Sequence, residues 1–112
     1  MIEIDVKQED KVTIVELHGR LDSEGARKVR DELMPVAEAG SRVLLDMSDV
    51  DYMSSAGLRV LVMFYRKVDA TAGAIVMTGL NQRIRDVMEM TGFLDFFSTS
   101  ETREEALQAL KS

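Results

Sequence analysis

The sequence predicts an α/β fold in which a mixed, mostly parallel sheet of four to five strands packs against about four helices. Two strand-like segments come first, and segments of helical and strand periodicity then alternate to the end of the chain. The later strand-like segments are short and apolar, as in strands that are buried on both faces of a parallel sheet. The 112 residues contain no linker-like stretch, so we expect a single domain over residues 1–112.

The first twenty residues predict a β-hairpin. Ile2, Ile4 and Val6 alternate with charged residues, which is typical of a half-buried strand. The stretch "VTIVELHG" (residues 12–19) is rich in β-branched residues and predicts its antiparallel partner.

Helical spacing begins after the hairpin. Asp22 or Ser23 can cap the start of this helix, and Gly40 can end it. Pro35 has no N–H group and clashes with the preceding turn, so we expect a kink or an early stop near Met34. The apolar face of the helix consists of Ala26, Val29, Leu33 and Val36.

The rest of the chain predicts alternating strands and helices. Asn81 can cap the helix that follows residue 80, and Gly73 and Gly92 can end helices. The predicted elements are a buried strand over 42–47, a loop over 48–53, a helix over 54–73, a strand over 74–79, a helix over 82–92, a short strand within 93–99 and a terminal helix over 102–112.

Two adjacent serines, Ser54 and Ser55, follow the predicted central strand. Right-handed crossovers place helix starts at the carboxyl ends of parallel strands, where α/β proteins usually have their sites. A serine at a helix start commonly caps it, and one serine suffices for that role. The second hydroxyl is therefore a candidate functional group.

The helix after the serines has a wide apolar face for the core. Met63 lies instead among Arg59, Arg66 and Lys67. A flexible thioether surrounded by cations indicates either a contact surface or a solitary exposed methionine.

The sequence lacks residues that two kinds of catalytic site require. A serine nucleophile needs a base, but His18 is the only histidine and there is no G-x-S-x-G motif. A phospho-aspartate site at Asp46 needs further carboxylates for Mg²⁺ and a lysine, and the neighbouring strand ends do not supply them. We therefore expect Asp46, Asp49 and Asp51 to be loop residues, and we expect no enzyme activity, metal or cofactor.

Phosphorylation of a serine by a kinase is the third chemical interpretation. A phosphate adds a charge of about -1.5 to -2. The N–H groups and dipole of a helix start tolerate that charge within the protein, whereas a partner's acidic groups would be repelled.

Composition narrows the class of partner. The 14 basic and 20 acidic side chains give a net charge of -6, which disfavours nucleic-acid binding. No apolar segment approaches the ~18 residues of a membrane span, and the first residues do not resemble a signal peptide. We expect a cytoplasmic protein without a membrane partner.

Three stretches follow one another along the chain: "VTIVELHGRLDSEGA" (residues 12–26), "VLLDMSDVDYMSSAGLRVL" (43–61) and "TGLNQRIRDVMEMTGFLDFF" (78–97). Taken in this order, they resemble the STAS domain of bacterial anti-sigma factor antagonists. The resemblance covers nearly the whole chain and implies the STAS fold.

The resemblance also implies a partner switch. The unphosphorylated protein would bind a serine-kinase anti-sigma factor with an ATPase fold, and phosphorylation would separate the two. A serine phosphatase would reset the switch. The family's phosphoacceptor falls on Ser55, with Ser54 as the less favoured acceptor. Partner contacts are expected at Asp22, Ser54, Ala56, Gly57, Leu58, Arg59 and Met63.

Two positions differ from the family pattern, in which an acid commonly stands at Ser54 and a hydroxyl residue at Ala56. An unphosphorylated STAS module of a stress-sensing, secretion-control or lipid-transport complex is therefore an alternative. A nucleotide- or small-ligand-binding domain is another, although the loop lacks the glycine spacing and lysine of a P-loop.

Overall fold

One five-stranded sheet with helices on both faces organises residues 2–111, the part of the chain that the computed structural model describes. The strands are β1 (Ile2–Glu9), β2 (Val12–Leu21), β3 (Arg42–Met53), β4 (Ala74–Thr78) and β5 (Ser98–Ser100). The helices are α1 (Ser23–Leu33), α2 (Ser55–Ala70), α3 (Gln82–Thr91) and α4 (Arg103–Lys111), with short 3-10 helices over Met34–Val36 and Phe93–Phe96. The predicted fold class and element order are confirmed.

The strands lie in the sheet in the order β1-β2-β3-β4-β5. β1 and β2 form the predicted antiparallel hairpin, and every other pair is parallel. Asp10 and Lys11 both have positive φ, of 50° and 70°, which gives a two-residue turn whose twist matches the strands. The carboxyl ends of β2, β3 and β4 therefore share one edge of the sheet.

The two faces of the sheet carry separate apolar clusters. Helices α1, α2 and α3 pack on the larger cluster, which includes Leu17, Leu45 and Phe64. α4 covers the smaller cluster on the opposite face, where Ala106 and Leu110 are buried. The sheet residues of that cluster are Val12, Ile14, Leu44 and Val76.

Pro35 has the predicted effect on α1. The helix ends at Leu33, and the proline lies in the 3-10 turn that follows, where its missing N–H group leaves no helical bond broken. The sequence had suggested Gly40 as the end of this helix. Gly40 instead lies in a later turn, with a φ of 72°.

The predicted loop over residues 48–53 is wrong, because β3 continues to Met53. Met47, Val50 and Met53 are all buried. They are three residues apart in sequence, and in a regular strand residues at that spacing point to opposite faces of the sheet. The pairing with β2 shifts register twice, and each time β3 advances one residue more than β2. These bulges return each apolar side chain to the core.

The other boundaries differ from prediction by a few residues. Asn81 caps α3, and Gly92 ends it in the left-handed conformation, as predicted. α2 ends at Ala70 rather than at Gly73, and residues 93–96 form a 3-10 turn before the short β5. No helix within residues 2–111 combines the length and the apolar character needed to cross a bilayer.

Candidate functional site

The starts of α1 and α2 meet at the carboxyl edge of the sheet. Asp22 directly follows β2, and Ser54 directly follows β3. Because Leu21 and Met53 are register partners in these parallel strands, the two cap residues leave neighbouring strands side by side. The predicted site at this edge is thus assembled from two helix starts.

The hydroxyl of Ser54 is used within the chain. Its Oγ accepts a hydrogen bond from the N–H of Gly57 at 3.1 Å, which caps α2. The same hydroxyl donates to the carbonyl oxygen of Leu21 at 3.1 Å, and the Ser54 N–H donates to that oxygen at 2.9 Å. Ser54 therefore joins the start of α2 to the end of β2.

Ser55 differs from its neighbour in every one of these respects. It is the first residue of α2, its side chain is exposed, and its hydroxyl has no hydrogen-bond partner within residues 2–111. It stands where unpaired N–H groups and the helix dipole favour a negative charge. Of the two hydroxyls, only that of Ser55 is both accessible and free.

Asp22 places a negative charge at the same edge of the sheet as the serines. Its Oδ1 accepts from the N–H of Gly25 at 2.8 Å, which caps α1. This backbone hydrogen bond lowers the pKa of Asp22 below its usual 3.8, so the carboxylate is ionised at neutral pH.

Gly57 and Leu58 shape the loop from inside. A Cβ added at Gly57 would lie 2.6 Å from Cγ of Leu21 and 2.7 Å from the Leu21 carbonyl oxygen, so only glycine allows α2 this close to β2. Leu58 is only 4% exposed. In this conformation the two residues position the loop and present little surface to a partner.

Ala56, Arg59 and Met63 face a groove between α1 and α2. Met63 is 45% exposed, as its cationic surroundings had suggested. The α1 side of the groove was not predicted from the sequence, although Ser23, Arg27 and Arg30 have the i, i+4, i+7 spacing of one helix face. The residues that line it are Ser23, Ala26, Arg27, Arg30, Ala56, Arg59, Val60 and Met63.

His18 serves neither serine. It lies in β2, where Nδ1 is 2.7 Å from Oδ2 of Asp49 and Nε2 is 3.5 Å from Oδ2 of Asp5 and 4.0 Å from Oε1 of Glu16. The hydrogen bond to Asp49, supported by the other two charges, raises the pKa of His18 above 6.5. Within residues 2–111, His18 therefore forms no serine–base pair of the kind that hydrolysis requires.

Asp46 is bound to α4 rather than placed in a loop, which corrects the prediction for this residue. Arg103 bridges Asp46, at 2.7 Å, and Glu16. Burial would raise the pKa of Asp46, but hydrogen bonds from Ser48 and Arg103 outweigh it and hold the pKa below 3.8. The Arg103 hydrogen bond likewise lowers the pKa of Glu16. These groups anchor α4 to the sheet.

Asp49 and Asp51 also lie in β3 and not in a loop. They border an open cavity of about 490 Å³ beside His18, together with Glu3 and Asn81. Three carboxylates around one cavity would repel the phosphates of a nucleotide. The charge of this cavity does not favour the nucleotide-binding alternative.

Known proteins resemble this chain over almost its full length. Residues 3–106 match the STAS domain. BtrV of Bordetella bronchiseptica, a candidate anti-sigma factor antagonist, is 36% identical over 104 residues, which cover 92% of this chain and 90% of BtrV. The anti-sigma-B factor antagonist of Bacillus subtilis is 32% identical over 107 residues, which cover 96% and 98% of the two chains.

A solved structure has the same architecture. The crystal structure of an anti-sigma factor antagonist from Mycobacterium paratuberculosis superposes with a TM-score of 0.88 at 25% identity. The superposition covers all of this chain and 96% of the other. Sequence and fold similarity thus extend over the same region.

Proposed function

Because this chain belongs to the STAS domain family, whose anti-sigma factor antagonists are regulatory binding proteins and not enzymes, we propose that it acts as such an antagonist in transcription regulation. Its unphosphorylated form binds a serine-kinase anti-sigma factor with an ATPase fold and thereby frees a sigma factor. Phosphorylation at Ser55 releases the partner, and a serine phosphatase restores the binding form. The switch operates in the cytoplasm.

The observation that carries the choice of Ser55 is the different hydrogen bonding of the two serines. Ser54 both donates and accepts at the junction of β2 and α2, so its hydroxyl is not available without loss of the cap. Ser55 is exposed and unpaired within the described residues. A kinase can reach the second hydroxyl without disturbing the fold.

The chemistry is a transfer of one phosphoryl group. A bond forms between the Ser55 oxygen and the γ-phosphorus of ATP while the bond from that phosphorus to its bridging oxygen breaks. The hydroxyl proton is released, and ADP leaves. The product carries an added charge of about -1.5 to -2 at the loop. Because Asp22 and Ser55 follow neighbouring strands at one edge of the sheet, a bound partner has to accommodate two negative groups there in place of one.

The site of phosphorylation is tested by incubation with the cognate anti-sigma kinase and Mg-ATP, followed by tandem mass spectrometry. We expect phosphate at residue 55 in the wild type and in Ser54→Ala, and none in Ser55→Ala. Phosphate only at Ser54 or elsewhere, or no phosphate on the wild type, would contradict the proposal.

The release step is tested by calorimetry with the same kinase. Ser55→Asp adds a negative charge and is expected to weaken binding, whereas Ser55→Ala, its uncharged control, keeps the wild-type affinity. Equal affinities for the two variants would argue against an electrostatic switch.

A further inference from the structure

We propose that the groove between α1 and α2 binds an acidic segment of the anti-sigma partner, and that a phosphate on Ser55 competes with that segment for Arg59. The proposal rests on the function proposed above and assigns the chemistry of the partner's contact. We call this surface, which is lined by Arg27, Arg30, Arg59, Met63 and the smaller residues between them, the arginine groove.

The charge of the arginine groove is opposite to that of the whole chain. Three arginines line it in a protein of net charge -6. Arg27 and Arg59 have no ion pair within residues 2–111, and Arg30 has only its neighbour Asp31, with Nε 3.6 Å from Oδ1. Guanidinium groups bind carboxylates in a planar, bidentate geometry. The arginine groove therefore offers unpaired donors that are complementary to aspartate or glutamate.

The floor of the arginine groove is apolar. Ala26 and Val60 are buried beneath it, and Ala56 is half-buried. Met63 contributes a flexible, exposed thioether that adapts to an apolar neighbour. The occupant that fits is a protein segment with acidic residues toward the arginines and at least one apolar side chain toward the floor.

Ser55 is coupled to the arginine groove through α2. Ser55 and Arg59 are four residues apart in that helix, so their side chains share one face with Cβ atoms about 5–6 Å apart. A phosphate at Ser55 can accept charge-assisted hydrogen bonds from Arg59. The phosphate would occupy one donor of the groove. It would also place a negative charge at the end of the groove, and this charge repels an acidic segment.

Binding to the cognate anti-sigma kinase, measured by calorimetry at low and high salt, tests the groove. We expect Arg27→Gln and Arg59→Gln each to weaken binding by roughly tenfold or more and to reduce its salt dependence. Lys11→Gln is the matched control, because it removes one positive charge at the hairpin turn, at the opposite end of β2. It should change the affinity less than about twofold.

The outcomes separate this inference from the function on which it rests. If the wild type does not bind the kinase, the proposed function is wrong. If the wild type binds and the arginine variants bind as Lys11→Gln does, the arginine groove is not the contact. If the arginine variants keep kinase binding but lose self-association or adsorption to phosphatidylglycerol vesicles, the groove has another occupant. Either loss would overturn the proposal.

The competition for Arg59 is tested without any partner. Phosphoserine is incorporated at position 55 during translation, and its second pKa is measured by ³¹P NMR. We expect Arg59 to hold this pKa below its ordinary value of about 6, and Arg59→Gln, but not Lys11→Gln, to raise it. An identical pKa in the wild type and in Arg59→Gln would overturn the competition.

Discussion

At the start of α2, the hydroxyl of Ser54 performs one of the roles that a carboxylate could perform there. It caps α2 as a carboxylate would, and it also donates to the Leu21 carbonyl, which an ionised carboxylate cannot do. Ser54 thus maintains the geometry of the loop without adding a charge of its own beside Ser55.

Removal of the Ser54 hydroxyl should cost stability, whereas removal of the Ser55 hydroxyl should not. We expect Ser54→Ala to lower the free energy of unfolding by about 1 kcal/mol, since the Gly57 N–H loses its acceptor. Ser55→Ala removes an exposed, unpaired hydroxyl and should stay within about 0.5 kcal/mol of the wild type. Urea denaturation of both variants measures the difference, and equal losses would refute the assignment of the cap.

The raised pKa of His18 predicts that the free energy of unfolding depends on pH near neutrality. Its pKa is raised in the folded protein, so its stabilisation is complete below the unfolded value near 6.5 and is lost as the pH rises through the folded pKa. We expect the free energy of unfolding to fall as the pH rises above about 6.5, and His18→Gln to flatten this change. His18 is the only histidine, so the same slope in the variant would disprove its origin.

Among the elements, β3 shows where periodicity alone misleads. The second half of β3, residues 48–53, contains four polar residues besides Val50 and Met53, and that composition is typical of a loop. The bulges against β2 are tertiary features, because they depend on how many residues the neighbouring strand offers. Without the partner strand, a three-residue apolar spacing cannot be assigned to one face.

The helix caps were predictable from the sequence because, unlike the bulges, they do not depend on a distant segment. The side chains of Asp22 and Asn81 bond to N–H groups three residues later, so the whole interaction is contained in a short stretch of sequence. The same holds for Pro35, whose effect on α1 follows from its own ring. The arginine groove could not be found in this way, because it exists only where α1 packs beside α2.

The contact between α2 and β2 gives a prediction at the scale of these elements. Gly57→Ala should destabilise the protein by about 1–3 kcal/mol, because the new methyl group overlaps Leu21 and the helix start has to move away. On helix propensity alone the change would be favourable by about 1 kcal/mol. Thermal unfolding decides between these signs, and a stabilised variant would show that the loop can relax.

The whole molecule is organised around a sheet that is covered unequally on its two faces. Three helices cover one face, whereas α4 alone covers the other and is anchored by Arg103 to Glu16 and Asp46. Both apolar clusters share the same strands, so neither can lose its packing without exposing the other side of those strands.

We therefore expect the chain to unfold as one unit. Far-UV circular dichroism, which reports on all helices, and the fluorescence of Tyr65, which packs near Phe96 and Phe97 on the larger cluster, should give the same urea midpoint. Tyr52→Phe would remove the signal of the second tyrosine. Two separate transitions would contradict the prediction of a single domain.

The order of the strands has a consequence for synthesis. Because each strand joins the sheet beside the one made before it, no later segment has to enter between strands that are already paired. A chain emerging from the ribosome can extend its sheet one edge at a time, as soon as each crossover has left the exit tunnel. α4 is made after all five strands, so Val12, Ile14, Leu44 and Val76 remain uncovered until it arrives. That apolar face is where a nascent chain would need a chaperone.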